Sequence, residues 1–390
     1  MSYILSNANR WYCAQEAGYG QVGAITAANR IPAVSLRVQH QRERSVRRDK
    51  TGTRTWTGLP AGLRQHTSFE ATSYMRDWAD TLNLPPHGPM IEAAMGAPGV
   101  LWPGATTTEG STQSTIYFIS EHGLSAGQAV VYNGELRFVA GVLTPQVVIV
   151  NAPFATAPPA GVPLSATATY RLSTELPSVS LFDYRDPAEA TVQRVLTGVG
   201  VDRFAISMNG DFHQMIFRGM AQDVVDSAAF QSGQGGLTVF PQEPAPEAVD
   251  YGLIPGNLGQ VWMGVIPNQM FTVTQASVEL RNHLALREKE YGSILPLALA
   301  PGGREVLMSL EFFAQDDFAT NALYQAARQQ SPLGVMFQMG QIAGQLMGVY
   351  FRSVIPDVPA FDDSETRLKW QFKDTRAQGI TDDEMVVAFG

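Results

Sequence analysis

Gly123-Leu124-Ser125-Ala126-Gly127 matches the G-x-S-x-G pattern, in which a turn between a strand and a helix lifts a serine into position as a nucleophile. The residues that follow, Gln128-Ala129-Val130-Val131-Tyr132, are strand-like. A turn between two strands is therefore the preferred reading, with a serine hydrolase built on Ser125 as the minor alternative. The six histidines (His40, His66, His87, His122, His213, His283) show no metal-ligand spacing, and no C-x-x-C occurs. His40 and His66 are placed to face each other across one hairpin, as a cross-strand polar pair. Asp316-Asp317 reads as a helix cap ahead of a pair of catalytic carboxylates. Asp362-Asp363 and Asp382-Asp383-Glu384 fall in turn-like, solvated stretches. There is no Walker loop and no dinucleotide fingerprint. Nothing assembles a nucleophile, a base and an oxyanion donor, so the expectation is a chain with no catalytic, cofactor-binding or metal residues.

The elements around these residues are better defined than any chemistry. From Val306 the residues alternate, with Val306, Met308, Leu310 and Phe312 on one side and Leu307, Ser309, Glu311 and Phe313 on the other, the pattern of a strand with one buried face. After Asp317 the period changes. Phe318, Ala319, Ala322, Leu323, Ala326 and Ala327 form a helical stripe that Ser331-Pro332 ends. Val34 to His40 and Thr67 to Thr72 alternate in the same way, separated by a polar run from Arg42 to Gly62. That run is basic, with Arg42, Arg44, Arg47, Arg48, Lys50 and Arg54 against Glu43 and Asp49. It lacks the interleaved aromatics of a nucleic-acid stacking surface. It reads as a hairpin tip or as an arm that contacts an acidic neighbour.

The 390 residues predict two or three domains. A net charge of -9 argues against a protein that works by neutralising phosphates. A single cysteine, Cys13, excludes an intramolecular disulfide framework and is compatible with a reducing cytoplasm. The opening MSYILSNANRWYC does not read as a signal peptide, and no apolar run is long enough to span a bilayer. With 36 glycines and 24 prolines and few helical patterns, the chain reads as β-rich.

Two halves share a plan. Pro60-Ala61-Gly62 precedes Ser68-Phe69-Glu70 as Pro301-Gly302-Gly303 precedes Ser309-Leu310-Glu311. Upstream, Ser35-Leu36-Arg37-Val38 matches Ser277-Val278-Glu279-Leu280. Each half offers a strand, a charged loop, a Pro-Gly turn, a second strand and helical residues. Between the halves lie short strands and an Asn133-Gly134 hairpin signal. Asn209-Gly210 marks a second hairpin, and 230–258 reads as a long excursion. The predicted fold class is mainly β (α+β). Residues 1–111 with 173–200 form one domain, 112–172 a small β insertion, and 201–390 a second domain.

The Ser35–Tyr74 segment with its RRDKTG loop, the NGDF hairpin at Asn209–Phe212, the FFAQDD junction and the closing AQG…DDEMVVAFG resemble tail tube proteins of long-tailed bacteriophages. The resemblance is to those with two tube domains fused in one chain, and it is weakest across 112–172. It implies rings that stack into a hollow tube, with a β-barrel inner wall and helices packed outside. A chain with two tube folds would form a homotrimer with pseudo-sixfold symmetry, whose sheet borders are completed by neighbouring copies. The implied location is the virion tail, assembled in the host cytoplasm. Partners would be further copies, the tape measure, terminator and distal tail proteins, and double-stranded DNA passing through the lumen, with no membrane insertion. The other readings are a terminator or distal tail ring protein, and a monomeric binding module. Alternation then predicts that Glu70, Glu279 and Glu311 point into the lumen, or alternatively pair with arginines such as Arg37 and Arg281. The basic run, Arg42 to Arg54, is assigned to contact between stacked rings.

Overall fold

The computed structural model describes residues 3–42, 50–55, 64–78, 81–186, 191–245 and 252–390. The chain begins with β1 (Asn9–Gln15), β2 (Arg30–Ile31), β3 (Ala33–Arg42), β4 (Gln65–Tyr74), α1 (Gly88–Met95) and β5 (Val100–Trp102). There follow β6 (Thr115–Tyr117), β7 (Ala129–Tyr132), β8 (Glu135–Thr144), β9 (Val147–Val150) and β10 (Thr167–Arg171). Next come β11 (Val179–Arg185), β12 (Arg194–Met208), β13 (Gln214–Ala221) and β14 (Asp223–Asp226). The remainder forms β15 (Gly259–Gly264), β16 (Asn268–Met270), β17 (Val273–Arg281), β18 (Ala285–Leu286), β19 (Leu299–Ala300) and β20 (Glu305–Phe313). The chain closes with α2 (Phe318–Gln329), β21 (Leu333–Met339), β22 (Met347–Val354), β23 (Ala360–Asp362), β24 (Lys369–Arg376) and β25 (Val386–Phe389). The protein is mainly β, as its alternating segments predict. Among the described residues no helix is long and apolar enough to cross a membrane.

Eight antiparallel strands lie side by side in the order β3-β4-β13-β12-β17-β20-β24-β23. Their period of two sends Phe69, Phe204, Phe217, Val278, Leu310 and Phe312 into the core and leaves polar residues on the other face. Two further layers cover the apolar face. One has the order β2-β1-β11-β12-β14, and the other β16-β15-β21-β22-β25, extended by β10 and β5. The three sheets share one hydrophobic core.

The same strand order therefore occurs twice. In the first half β1, β2, β3, β4, α1, β11, β12, β13 and β14 make a layer β2-β1-β11-β12-β14 over a quartet β3-β4-β13-β12. In the second half β15, β16, β17, β20, α2, β21, β22, β23, β24 and β25 make β16-β15-β21-β22-β25 over β17-β20-β24-β23. β12 serves both layers because it is one strand of 15 residues. Its first part pairs with β11 and β14, its second with β13 and β17. It changes layer near Gly198, whose φ of 58° is costly for any residue with a Cβ. In the second half the corresponding chain is split into β22 and β23.

This arrangement corrects the boundaries read from sequence. A division at 200/201 falls inside β12, so the Asn209-Gly210 hairpin belongs to the first half and the division lies between β14 and β15. The insertion is also shorter than 112–172. A four-stranded sheet, β6-β9-β8-β7, has its own core around Phe118, Val139 and Phe154, but β10 pairs with β25 in the covering layer. The Asn133-Gly134 turn is as expected, with φ of 50° and 74°, the left-handed pair of a two-residue hairpin. At Asn209 the loop is longer, since Ser207 pairs with Gln214.

The α2 helix begins as predicted. The Asp317 carboxylate accepts the Thr320 N–H at 2.7 Å, and Gln330 ends the helix in the left-handed region. Its stripe is narrower than expected. Leu323 and Ala327 are buried, but Phe318 is 76% exposed.

Candidate assembly surface

The polar face of the eight-stranded sheet is not covered by any described part of the chain's own layers. Glu70, Glu279 and Glu311 all lie on it, each partly exposed and alternating with buried neighbours on its strand. Cross-strand register sets Arg37, Glu70, Arg218, Arg203, Arg281 and Glu305 in one row across six strands. Opposite charges placed side by side on one face attract. Glu70 meets Arg218 at 2.8 Å, and Glu279 meets Arg203 at 2.5 Å and also Arg281. Glu305 lies 3.3 Å from His283 and 3.6 Å from Arg376. Glu311 sits between Gln275 and Gln371.

The face thus carries paired charge, where the sequence reading favoured bare carboxylates. Glu70 lies between Arg37 on β3 and Arg218 on β13, and its ion pair is with Arg218. Sequence reasoning missed Arg203, Arg218, Glu305 and Arg376. Their positions alternate with buried residues, but only the pairing of distant strands sets them in one row. The sequence-matched hairpins also differ in register. Arg37 faces Glu70, whereas Glu279 faces Leu307 and Glu311 faces Gln275.

Partial burial pushes the Glu279 carboxyl up, but hydrogen bonds from Arg281 and Arg203 outweigh this and hold it below its ordinary value of 4.5. A depressed carboxylate stabilises the fold above its unfolded pKa, and that contribution disappears as pH falls through the folded one. Glu279→Gln therefore lowers the melting temperature at neutral pH. The gap to wild type narrows below pH 4.5, as thermal melts across a pH series will register.

The eight-stranded sheet has two borders. Among the described residues β3, ten residues long, pairs only with β4, and most of its residues are exposed. β23 borders the other side, with Phe361 exposed. Such borders invite pairing with another chain. Because eight strands alternate in direction, the two borders run oppositely. In the repeated strand order β12 takes the place of β23 and β17 the place of β3, and within the chain β12 and β17 pair antiparallel from Arg203–Arg281 to Met208–Ala276.

The other predicted positions resolve as structural contacts. Ser125 donates to Gln128 Oε1 at 3.1 Å and accepts from Arg171 at 3.0 Å, in a turn that leads into β7. His122 Nδ1 accepts the Leu124 N–H within the same turn. His40 and His66 do not face each other. His40 pairs with Thr67 and His66 with Gln41, which puts them on opposite faces, and His66 lies 3.0 Å from Glu288. Asp382 and Glu384 bind Arg304, and Asp383 binds Arg352. Among the described residues no group of three His, Cys, Asp or Glu is arranged to hold a metal. Of the basic run, Arg42, Lys50 and Arg54 are exposed, while Arg44, Arg47 and Arg48 lie outside the described residues.

No protein-family model and no curated protein sequence matches this chain.

Proposed function

We propose that this chain is a structural subunit of a bacteriophage tail tube, in which copies join border to border into rings and the rings stack into a DNA conduit. The observation that carries this reading is the open-bordered, eight-stranded sheet with a polar, charge-paired face, assembled from two runs of one strand order. Each run is read as a tube domain, and the pair as a duplication. The junction inside the chain, β12 to β17, is the contact that β23 and β3 repeat between chains. Three chains of eight strands close a barrel of about 24 strands. At a strand spacing of ~4.8 Å and a tilt of ~40°, its backbone diameter is about 48 Å. The polar face then lines a bore wide enough for a DNA duplex.

A wall of paired charges suits passage of a polyanion. Isolated guanidiniums would bind phosphates and hold the duplex. Here Glu70 engages Arg218, and Glu279 and Glu305 engage Arg203 and Arg281, so these guanidiniums already have carboxylate partners. The covering layers, the helices and the small insertion face outward. A terminator or distal ring protein with the same fold would close single rings without stacking. Sedimentation of the purified chain tests the proposal. It predicts particles in multiples of three chains, with an obligate interface above ~2,000 Å² per junction. A monomer at every concentration contradicts it.

A further inference from the structure

A cavity of about 210 Å³ lies where the end of β12 faces the second covering layer. Met208, the last residue of β12, borders it from the eight-stranded sheet. Met270 at the end of β16 and Met339 at the end of β21 border it from the covering layer. His213, just before β13, completes the group and is 3% exposed. Its Nε2 lies 3.5 Å from the Leu258 carbonyl, while Nδ1 is buried with no hydrogen-bond partner. A buried ring nitrogen left unpaired is destabilising, so its presence in an apolar cavity needs a reason.

Methionine is the flexible residue that fills irregular gaps in a core. Here three methionines, all part of the main core, border a gap that stays open. Each brings a polarizable thioether sulfur. Among the described residues that line the cavity there is no carboxylate, thiol, lysine or arginine. Burial lowers the His213 pKa, with the Leu258 and Pro255 carbonyls opposing that shift, so the imidazole is neutral at neutral pH and keeps a free nitrogen lone pair. The donors are therefore soft and uncharged. Thioether sulfur selects copper(I), and imidazole suits copper as well, whereas magnesium and calcium take oxygen ligands. With no anionic ligand to offset it, a single positive charge is also cheaper to bury than two.

We infer that Met208, Met270, Met339 and His213 form a binding site for a soft monovalent cation, copper(I). Exposed Asn209 and Asn257 edge the cavity and give the ion an entry from solvent. The four ligands come from the eight-stranded sheet, the loop before β13 and two strands of the covering layer, so a bound ion ties that sheet to its cover. An ion that binds the folded chain alone raises its stability. The site is independent of how copies assemble and stands whether or not rings form.

Anaerobic titration of the full chain with copper(I), in competition with a colorimetric copper(I) chelator, tests the site, and silver(I) serves as the redox-inert counterpart. The expected result is one ion per chain, a higher melting temperature on binding, and sulfur and nitrogen neighbours around the metal in X-ray absorption. The chain's one thiol, Cys13, is buried elsewhere in the core, so Cys13→Ser binds as the wild type does. Met208→Leu with Met270→Leu nearly conserves core volume and keeps the ion-free melting temperature close to that of the wild type. It weakens copper(I) binding by at least the roughly 10–100-fold that loss of a ligand's supporting partner costs. Met339→Leu alone gives a smaller loss in the same direction. Copper(I) binding by the methionine variants equal to that of the wild type, binding abolished by Cys13→Ser, or a wild-type chain that takes up no copper(I) overturns the inference.

Discussion

If copies join through the β3 border as proposed, proline there prevents ring closure without unfolding the chain. In a border strand, alternate N–H groups point away from the sheet, so of the neighbours Gln39 and His40 one directs its N–H toward β4 and the other outward. Proline removes the donor and is tolerated on an edge only where that donor faces solvent. Gln39→Pro and His40→Pro therefore differ. The outward-facing variant keeps the thermal transition of the wild type but loses a junction hydrogen bond and gains a steric clash with the incoming β23. A cost of about 3 kcal/mol per junction weakens association more than a hundredfold. The inward-facing variant lowers monomer stability instead. Sedimentation and thermal melts of the pair separate these outcomes. Two variants that both form rings as the wild type does would exclude β3 as a junction strand.

Arg137 produces the second large effect. Its side chain is fully buried where the small insertion meets the outer face of the second covering layer. The guanidinium donates to Glu135 at 2.8 Å, to Gln260 at 3.0 Å, to Gln338 at 3.2 Å and to the carbonyls of Leu136 and Pro153. Phe154 and Trp262 lie over it, at 5.4 and 5.0 Å. Desolvation lowers its pKa to about 10, with Glu135 opposing that shift, so the group stays charged at neutral pH. Arg137→Met leaves Glu135 buried without its cation and costs about 3–5 kcal/mol. Calorimetry then shows a lower transition, and amide exchange in β7 and β8 accelerates. Arg137→Met with Glu135→Leu recovers much of the loss, because no buried charge is then left alone. An Arg137→Met variant as stable as the wild type would mean that the insertion is held by its apolar contacts, such as the Phe138–Tyr350 stack, and not by this network.

How far the chain could be read follows from the range of each interaction. The β20 alternation, the Asp317 cap and the Asn133-Gly134 turn are local, and the structure has them where their spacing puts them. The helix stripe was over-read at Phe318 because period alone does not say which flank is covered. The division between halves was misplaced for a different reason. β12 is a continuous strand that changes partners midway, and a change of partner leaves no mark in local period. The row from Arg37 to Glu305 is likewise invisible to any window shorter than the chain, since it joins six strands drawn from both halves. Alternation sets Glu70, Glu279 and Glu311 each opposite the buried residues of its own strand, and strand pairing brings them to one face. Their pairing with arginines depended on which strand lies next door.

End-on electron micrographs of the concentrated protein test the central claim most directly. The expected particles are annular, with three chains, six similar lobes around an open bore, and a backbone wall about 48 Å across. Particles without a bore, whose β3 and β23 borders are sealed within a single copy, would contradict it.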